Sequence, residues 1–155
     1  MALRLRLATL DDLDLLVRHR RGMWEDIGML GPGVPDPTQA AYRAWVRARL
    51  RSGRLVGFVV EEKGEPVASG CIWLQEIQPR PHLPGPRWPY LMSMFTEPEH
   101  RGKGAAARIV GSAIAWSRRN GYSRLVLHAS EAGRPVYKKF GFQPGIEMWL
   151  ELPAP

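Results

Sequence analysis

A single cysteine, Cys71, stands in the 155 residues, so no disulfide can form within the chain and a thiolate zinc cluster has nothing to build on. Long hydrophobic runs are missing too; none approaches the roughly 20 residues that span a bilayer. The opening MALRLRLATLDD lacks the apolar core of a signal peptide and alternates Leu with Arg. It reads as a first strand with Leu3, Leu5 and Leu7 on one face. No repeat is present and no linker is long enough to divide the chain, so residues 1–155 read as one domain. These absences lead to the expectation of a cytoplasmic protein with no membrane partner and no metal. Acid is scarce in one region: Arg101 to Phe140 carries nine Lys or Arg against Glu131 alone. The whole chain is +7, so the other residues come close to balance. Such a patch suits nucleic acid or a cofactor bearing several phosphates, and charge alone does not choose between them.

The elements follow from periodicity and punctuation. In TLDD, Thr9 and Asp12 form a variant of the capping box, and Leu13, Leu16 and Val17 then mark a helical face. GMLGPGVPDP breaks the chain, and Asp36-Pro37 reads as the restart of a helix carrying Tyr42, Trp45, Val46 and Leu50. LVGFVVEEKGEPVASGCIWLQEI reads as two strands turning at Lys63-Gly64, with Cys71 a packed thiol in the second. QPRPHLPGPRWP has five prolines in twelve residues and reads as a loop, followed by the strand YLMSMFTEP. A helix through Ala106, Ile109, Val110, Ala113 and Ile114 ends near Asn120-Gly121. RLVLHAS reads as a short strand, RPVYKKF as a short helix stopped by Gly141, and EMWLEL as a last strand. The order βααβββαβαβ predicts an α/β fold with a mixed, mainly antiparallel sheet flanked by helices.

One stretch, TEPEHRGKGAAARIV, places Gly102 and Gly104 between a strand and a helix. A helix start offers free N–H groups and the positive dipole end, and glycine lets a ligand approach the backbone. Arg101 and Lys103 add charge, while Ala105, Ala106 and Ala107 keep the first turn slim. The spacing is neither the Walker form nor the dinucleotide fingerprint. It is Arg-x-x-Gly-x-Ala, in Arg101, Gly104 and Ala106, and it resembles the pyrophosphate loop of the GNAT superfamily of acetyl-CoA-dependent N-acetyltransferases. LHASEAGRPVYKKFGF adds a second resemblance, ending in Tyr-x-x-x-Gly-Phe at Tyr137, Gly141 and Phe142. The two blocks cover about a third of the chain, in the family's order.

That resemblance implies a GNAT-type twisted sheet with acetyl-CoA held between splayed fourth and fifth strands. It implies that the backbones of Met94, Phe95 and Thr96 hold the pantetheine arm, with an N–H near Met94 facing the oxyanion. Residues Gly102 to Ala107 are then the pyrophosphate cradle, Tyr137 the acid that protonates the departing sulfur, and His128 the candidate base. Imidazole titrates near neutrality, which suits that role; water is the alternative carrier. Ser130 is a further candidate contact to CoA, and Lys138 and Lys139 are candidates for its 3′-phosphate. The acceptor pocket is expected at Trp24, Met29, His82, Trp88 and Tyr90, a lining that suits a partly apolar or flat amine. The expected activity is acetyl transfer by direct attack in a ternary complex, from acetyl-CoA to a primary amine of a small molecule. A noncatalytic acyl-CoA-binding module and a protein N-terminal or lysine acetyltransferase remain alternatives. Nucleic acid becomes a minor one, because CoA phosphates account for the basic excess and no nucleic-acid-binding motif is present. The resemblance also allows a homodimer.

Overall fold

The computed structural model describes residues 2–83 and 85–154. Strand β1 (Leu3–Leu7) passes through a 3-10 turn at Leu10–Asp12 into helix α1 (Leu13–Asp26), and α2 (Gln39–Ser52) follows. Three strands come next, β2 (Leu55–Glu62), β3 (Glu65–Glu76) and β4 (Arg87–Thr96). Helix α3 (Ala105–Arg119), the two-residue β5 (Val126–Leu127) and the short α4 (Arg134–Lys139) complete the elements. The sheet runs β1-β2-β3-β4-β5, antiparallel throughout except for the parallel β4–β5 pair. This is the mixed, mainly antiparallel sheet that the element order predicts.

Each face of the sheet is sealed by helices whose apolar positions recur at helical spacing. Ile109, Val110 and Ala113 of α3 pack on Phe58, Val60 and Ile72. On the opposite face Leu13, Leu16 and Val17 of α1 meet Val46 of α2 and Cys71 of β3. Cys71 is a core thiol, and burial pushes its pKa up to about 12, so it is an inert packing group. The predicted capping box is present: Thr9 N–H donates to Asp12 Oδ2 at 2.7 Å. Arg6 grips the same carboxylate through both terminal nitrogens, at 2.8 and 2.9 Å, and thereby ties β1 to the start of α1.

Three expectations change. Helix α2 begins at Gln39, because the Asp36 carboxylate accepts from the N–H and hydroxyl of Thr38 and forms a turn ahead of the helix. Strand β4 begins at Arg87 and takes in Pro89, so the proline-rich loop ends three residues earlier than its composition suggests. Leu74, opposite Pro89, donates its N–H to Arg54 on the far side, so this pair exchanges no bond and proline costs the ladder nothing. The third concerns EMWLEL, which is not a strand among the described residues, because its backbone makes no hydrogen bond to any edge of the sheet.

Candidate active site

Strands β4 and β5 pair only at Tyr90–Val126 and Leu91–Leu127. Beyond that point β5 turns away into residues 128–133 while β4 runs on to Thr96, leaving Met92–Thr96 with no strand on that edge. A cavity of about 1260 Å³ opens in the gap. Strand β4 also carries one residue more than β3 between the Cys71–Met92 and Ser69–Phe95 pairs, a bulge that disrupts the ladder there. Ser93, in the bulge, sits at φ 55°, a left-handed conformation that a non-glycine residue adopts at a cost. Its hydroxyl lies 3.3 Å from the Tyr42 hydroxyl on α2.

Two glycines far apart in sequence seat the bulge residues. A Cβ on Gly70 would fall 2.4 Å from Met94 Sδ, and one on Gly22 would fall 2.6 Å from Phe95 Cε2. The Phe95 ring is boxed in, its centroid 5.0 Å from the His19 ring and 5.6 Å from the Arg101 guanidinium carbon. Alanine normally stabilises a helix interior over glycine by about 0.5–1 kcal/mol. Gly22→Ala is expected to do the reverse, lowering stability by about 1–3 kcal/mol through overpacking. Urea unfolding of the variant checks this, and a gain in stability would contradict it.

The end of β4 is held by a buried polar chain. His19 Nε2 lies 3.2 Å from Glu97 Oε1, and its Nδ1 lies 2.8 Å from Ser69 Oγ. A carboxylate only accepts, so Nε2 carries the proton and Nδ1 accepts from the Ser69 hydroxyl. Burial lowers the His19 pKa, consistent with this neutral tautomer.

The loop after β4 puts Gly102 at φ 74° and Gly104 at φ 88°, a region that glycine enters without strain. Gly104 is the N-cap of α3 and has no side chain to give, so the N–H groups of the first turn stay free. An uncapped, positively polarised helix start beside two left-handed glycines fits a diphosphate. Gly102, Ala105 and Ala106 line the cavity; Lys103, Gly104 and Ala107 flank it. Arg101 lines it as well, but its guanidinium is already engaged. Nε donates to the Thr96 carbonyl at 2.9 Å, and a terminal nitrogen donates to Asp26 at 2.7 Å. Arg101 therefore braces the loop against α1. Lys103 reaches towards Glu62 at 3.6 Å. Lys138 and Lys139 stand outside the cavity wall.

Tyr137 and His128 both face the cavity, on the side opposite β4. Tyr137 packs edge-on to Phe142, and Gly133 leaves room for its ring, since a Cβ there would meet Tyr137 Cε2 at 2.9 Å. Burial, with a contribution from Tyr90, raises the Tyr137 pKa, so the phenol keeps its proton at neutral pH. Ser130 lines the cavity too, and its hydroxyl accepts from Gly133 N–H at 3.2 Å. Both His128 nitrogens are bonded: Nε2 to Glu147 Oε1 at 2.9 Å and Nδ1 to the Tyr90 hydroxyl at 2.6 Å. The same logic puts the proton on Nε2, so Tyr90 donates to Nδ1.

At the acceptor end the structure keeps some of the expected set and replaces the rest. Trp24 and Tyr90 line the cavity. Met29 is 74% exposed on the α1–α2 connection, and His82 is exposed in the proline-rich loop. Trp88 turns away, donating to Gln75 at 2.9 Å with Arg80 over its ring. In their place stand Tyr42, Trp45 and Trp73, which the sequence offers only as amphipathic core positions. Tyr42, Trp45, Trp73 and Tyr90 form a continuous wall, with successive centroids 6.1, 5.2 and 6.2 Å apart. The two carboxylates of the lining are Asp26, tied to Arg101, and Glu131, in the turn before α4.

The sequence model of the Acetyltransferase (GNAT) family matches residues 18–142. A GCN5-related N-acetyltransferase from Ralstonia eutropha JMP134 is 30% identical, superposes with a TM-score of 0.87, and the match covers 97% of this chain and 99% of that one. A predicted acetyltransferase from Clostridium acetobutylicum, solved with acetyl-CoA, is also 30% identical, with a TM-score of 0.86 and coverage of 98% and 96%. A ribosomal-protein-alanine N-acetyltransferase from Brucella melitensis biovar Abortus 2308 shares the fold at 17% identity, with a TM-score of 0.71 and coverage of 99% and 100%. No curated protein matches the chain.

Proposed function

The chain belongs to the GNAT acetyltransferase family and is by that membership an N-acetyltransferase, and from this premise we propose that it acetylates a primary amine carried on a flat, partly apolar small molecule. The observation behind this reading is the aromatic wall from Tyr42 to Tyr90, which offers stacking surface and little free negative charge. A polycationic acceptor would find no acidic cluster there to replace its hydration.

Acetyl-CoA supplies the activated acetyl thioester. The free edge of β4 at Met94–Thr96 and the start of α3 are the groups that would hold its arm and diphosphate, with Gly102, Ala105 and Ala106 against the phosphates. The backbone N–H near Met94, carried on the bulge, is the donor assigned to the developing oxyanion. Tyr90 stands between the acceptor and His128. Its oxygen takes the proton leaving the attacking amine as its own passes to His128 Nδ1, and Glu147 steadies the imidazolium through Nε2. Tyr137, protonated at neutral pH, gives its proton to the departing sulfur. Residues 1–155 act as one domain in this reading, in a cytoplasmic setting that suits the lone buried thiol.

Thiol release in the presence of acetyl-CoA and an amine panel tests the acceptor class. The expected result is highest kcat/KM for amines on aromatic bodies. Highest kcat/KM for an aminoglycoside or a peptide N-terminus would overturn it.

A further inference from the structure

We propose that Tyr42 is a positioning residue for the transfer step: its hydroxyl, reaching across from α2, holds Ser93 in the left-handed conformation that aims the Met94 N–H at the reacting carbonyl. The inference rests on the assignment of the developing oxyanion to that N–H. Between the Cys71–Met92 and Ser69–Phe95 pairs, β3 has only Gly70, whereas β4 has Ser93 and Met94. Ser93 is therefore the first residue of the bulge, and at φ 55° it takes the conformation for which such bulges ordinarily use glycine. A residue with a side chain stays there only where its surroundings hold it. The peptide that ends in the Met94 N–H begins at Ser93 and is planar, so the Ser93 dihedrals set where that N–H points.

Among the described residues, the Tyr42 hydroxyl, at 3.3 Å, is the one side-chain partner of Ser93 Oγ. Both residues line the cavity. Burial raises the Tyr42 pKa, so the phenol keeps the proton that it can donate to Ser93. The ring is held without help from the hydroxyl. The Arg20 guanidinium carbon lies 4.3 Å from its centroid, and Arg20 is itself bonded to Asp36 and, at 2.9 Å, to Thr38 Oγ1. Trp45 stacks nearly parallel to the same ring, centroid to centroid at 6.1 Å. Tyr42 therefore brings to the bulge a hydroxyl fixed on a helix, the kind of support that a preorganised oxyanion donor requires.

Kinetics of Tyr42→Phe in two backgrounds, the parent and Ser93→Gly, test this. The amine is whichever of the panel the parent turns over fastest, so the acceptor class does not enter. Phenylalanine keeps the ring and its contacts and removes one oxygen. In the parent background kcat is expected to fall about 10-fold, as for an oxyanion donor displaced rather than lost. KM for acetyl-CoA and for the amine should stay within twofold. Glycine enters the left-handed region unaided, so in the Ser93→Gly background the same change is expected to cost less than threefold. A ring that only packs, or a hydroxyl that binds the acceptor itself, would act alike in both backgrounds; an equal loss in the two overturns the proposal. The chemical shifts of the Ser93 α- and β-carbons report its backbone conformation and read the hold on Ser93 without turnover. They are expected to move in Tyr42→Phe, and unchanged shifts would overturn the proposal as well. Shifts that move while kcat stays within twofold would also overturn it, and would place the fault in the oxyanion assignment rather than in the contact.

Discussion

Ala106→Glu is expected to abolish CoA binding while leaving the fold as stable as before, or slightly more stable. Ala106 is the second residue of α3, half-buried, and faces the cavity. A carboxylate in the first turn of a helix is favoured by the dipole, worth about 0.3–1 kcal/mol, which offsets the small loss of helix propensity. The same carboxylate occupies the positive field that the uncapped helix start offers a diphosphate, and it repels one. The expected loss is at least 100-fold in affinity for CoA, about 3 kcal/mol. Ala106→Gln fills the same volume without the charge and should lose far less. Titration of both variants beside their melting curves reads the two effects separately. Retention of binding within threefold in Ala106→Glu would remove the α3 start from the cofactor site.

Tyr137→Phe should lower kcat by about 10²–10⁴ with little change in CoA affinity, since it removes one proton and keeps the ring packing. The ring lies against Phe142 and beside Gly133, contacts that phenylalanine keeps. The pH dependence follows from the direction of the shift. Burial and Tyr90 hold the Tyr137 pKa above its ordinary value of 10, so the acid form persists through neutral pH and is lost only above that value. Any fall in kcat assigned to this group must therefore lie on the alkaline side of 10, and a fall below 10 belongs to another residue. A kcat within twofold of the parent would show that another group, or water, protonates the sulfur.

The features of this site that local sequence determines are the ones that could be read from it. Two glycines ahead of an uncapped helix are a local event, and so is the run from Tyr137 to Phe142. The bulge at Ser93 was not legible, because no glycine or proline marks it. It depends on Gly22 and Gly70 making room for Phe95 and Met94 from other elements. The acceptor wall was hidden for a different reason. Tyr42 and Trp45 recur at the spacing of a core face, and Trp73 alternates as a core strand residue does; only the splay of β4 from β5 leaves them facing a cavity. Met29, His82 and Trp88 lie on segments that lead towards the site, and position on a segment does not fix where a side chain points. EMWLEL shows a similar limit: its alternation predicts a strand, but among the described residues no edge of the sheet pairs with it.

The central claim is that the gap between β4 and β5 takes CoA. A calorimetric titration of CoA into the protein, with a short DNA duplex run in parallel, tests it most directly. The account predicts saturable binding of one CoA per chain, with a dissociation constant on the order of 1–100 μM, and no heat with DNA. No binding at millimolar CoA would contradict it. Duplex binding that weakens steeply with salt would instead assign the basic segment to nucleic acid.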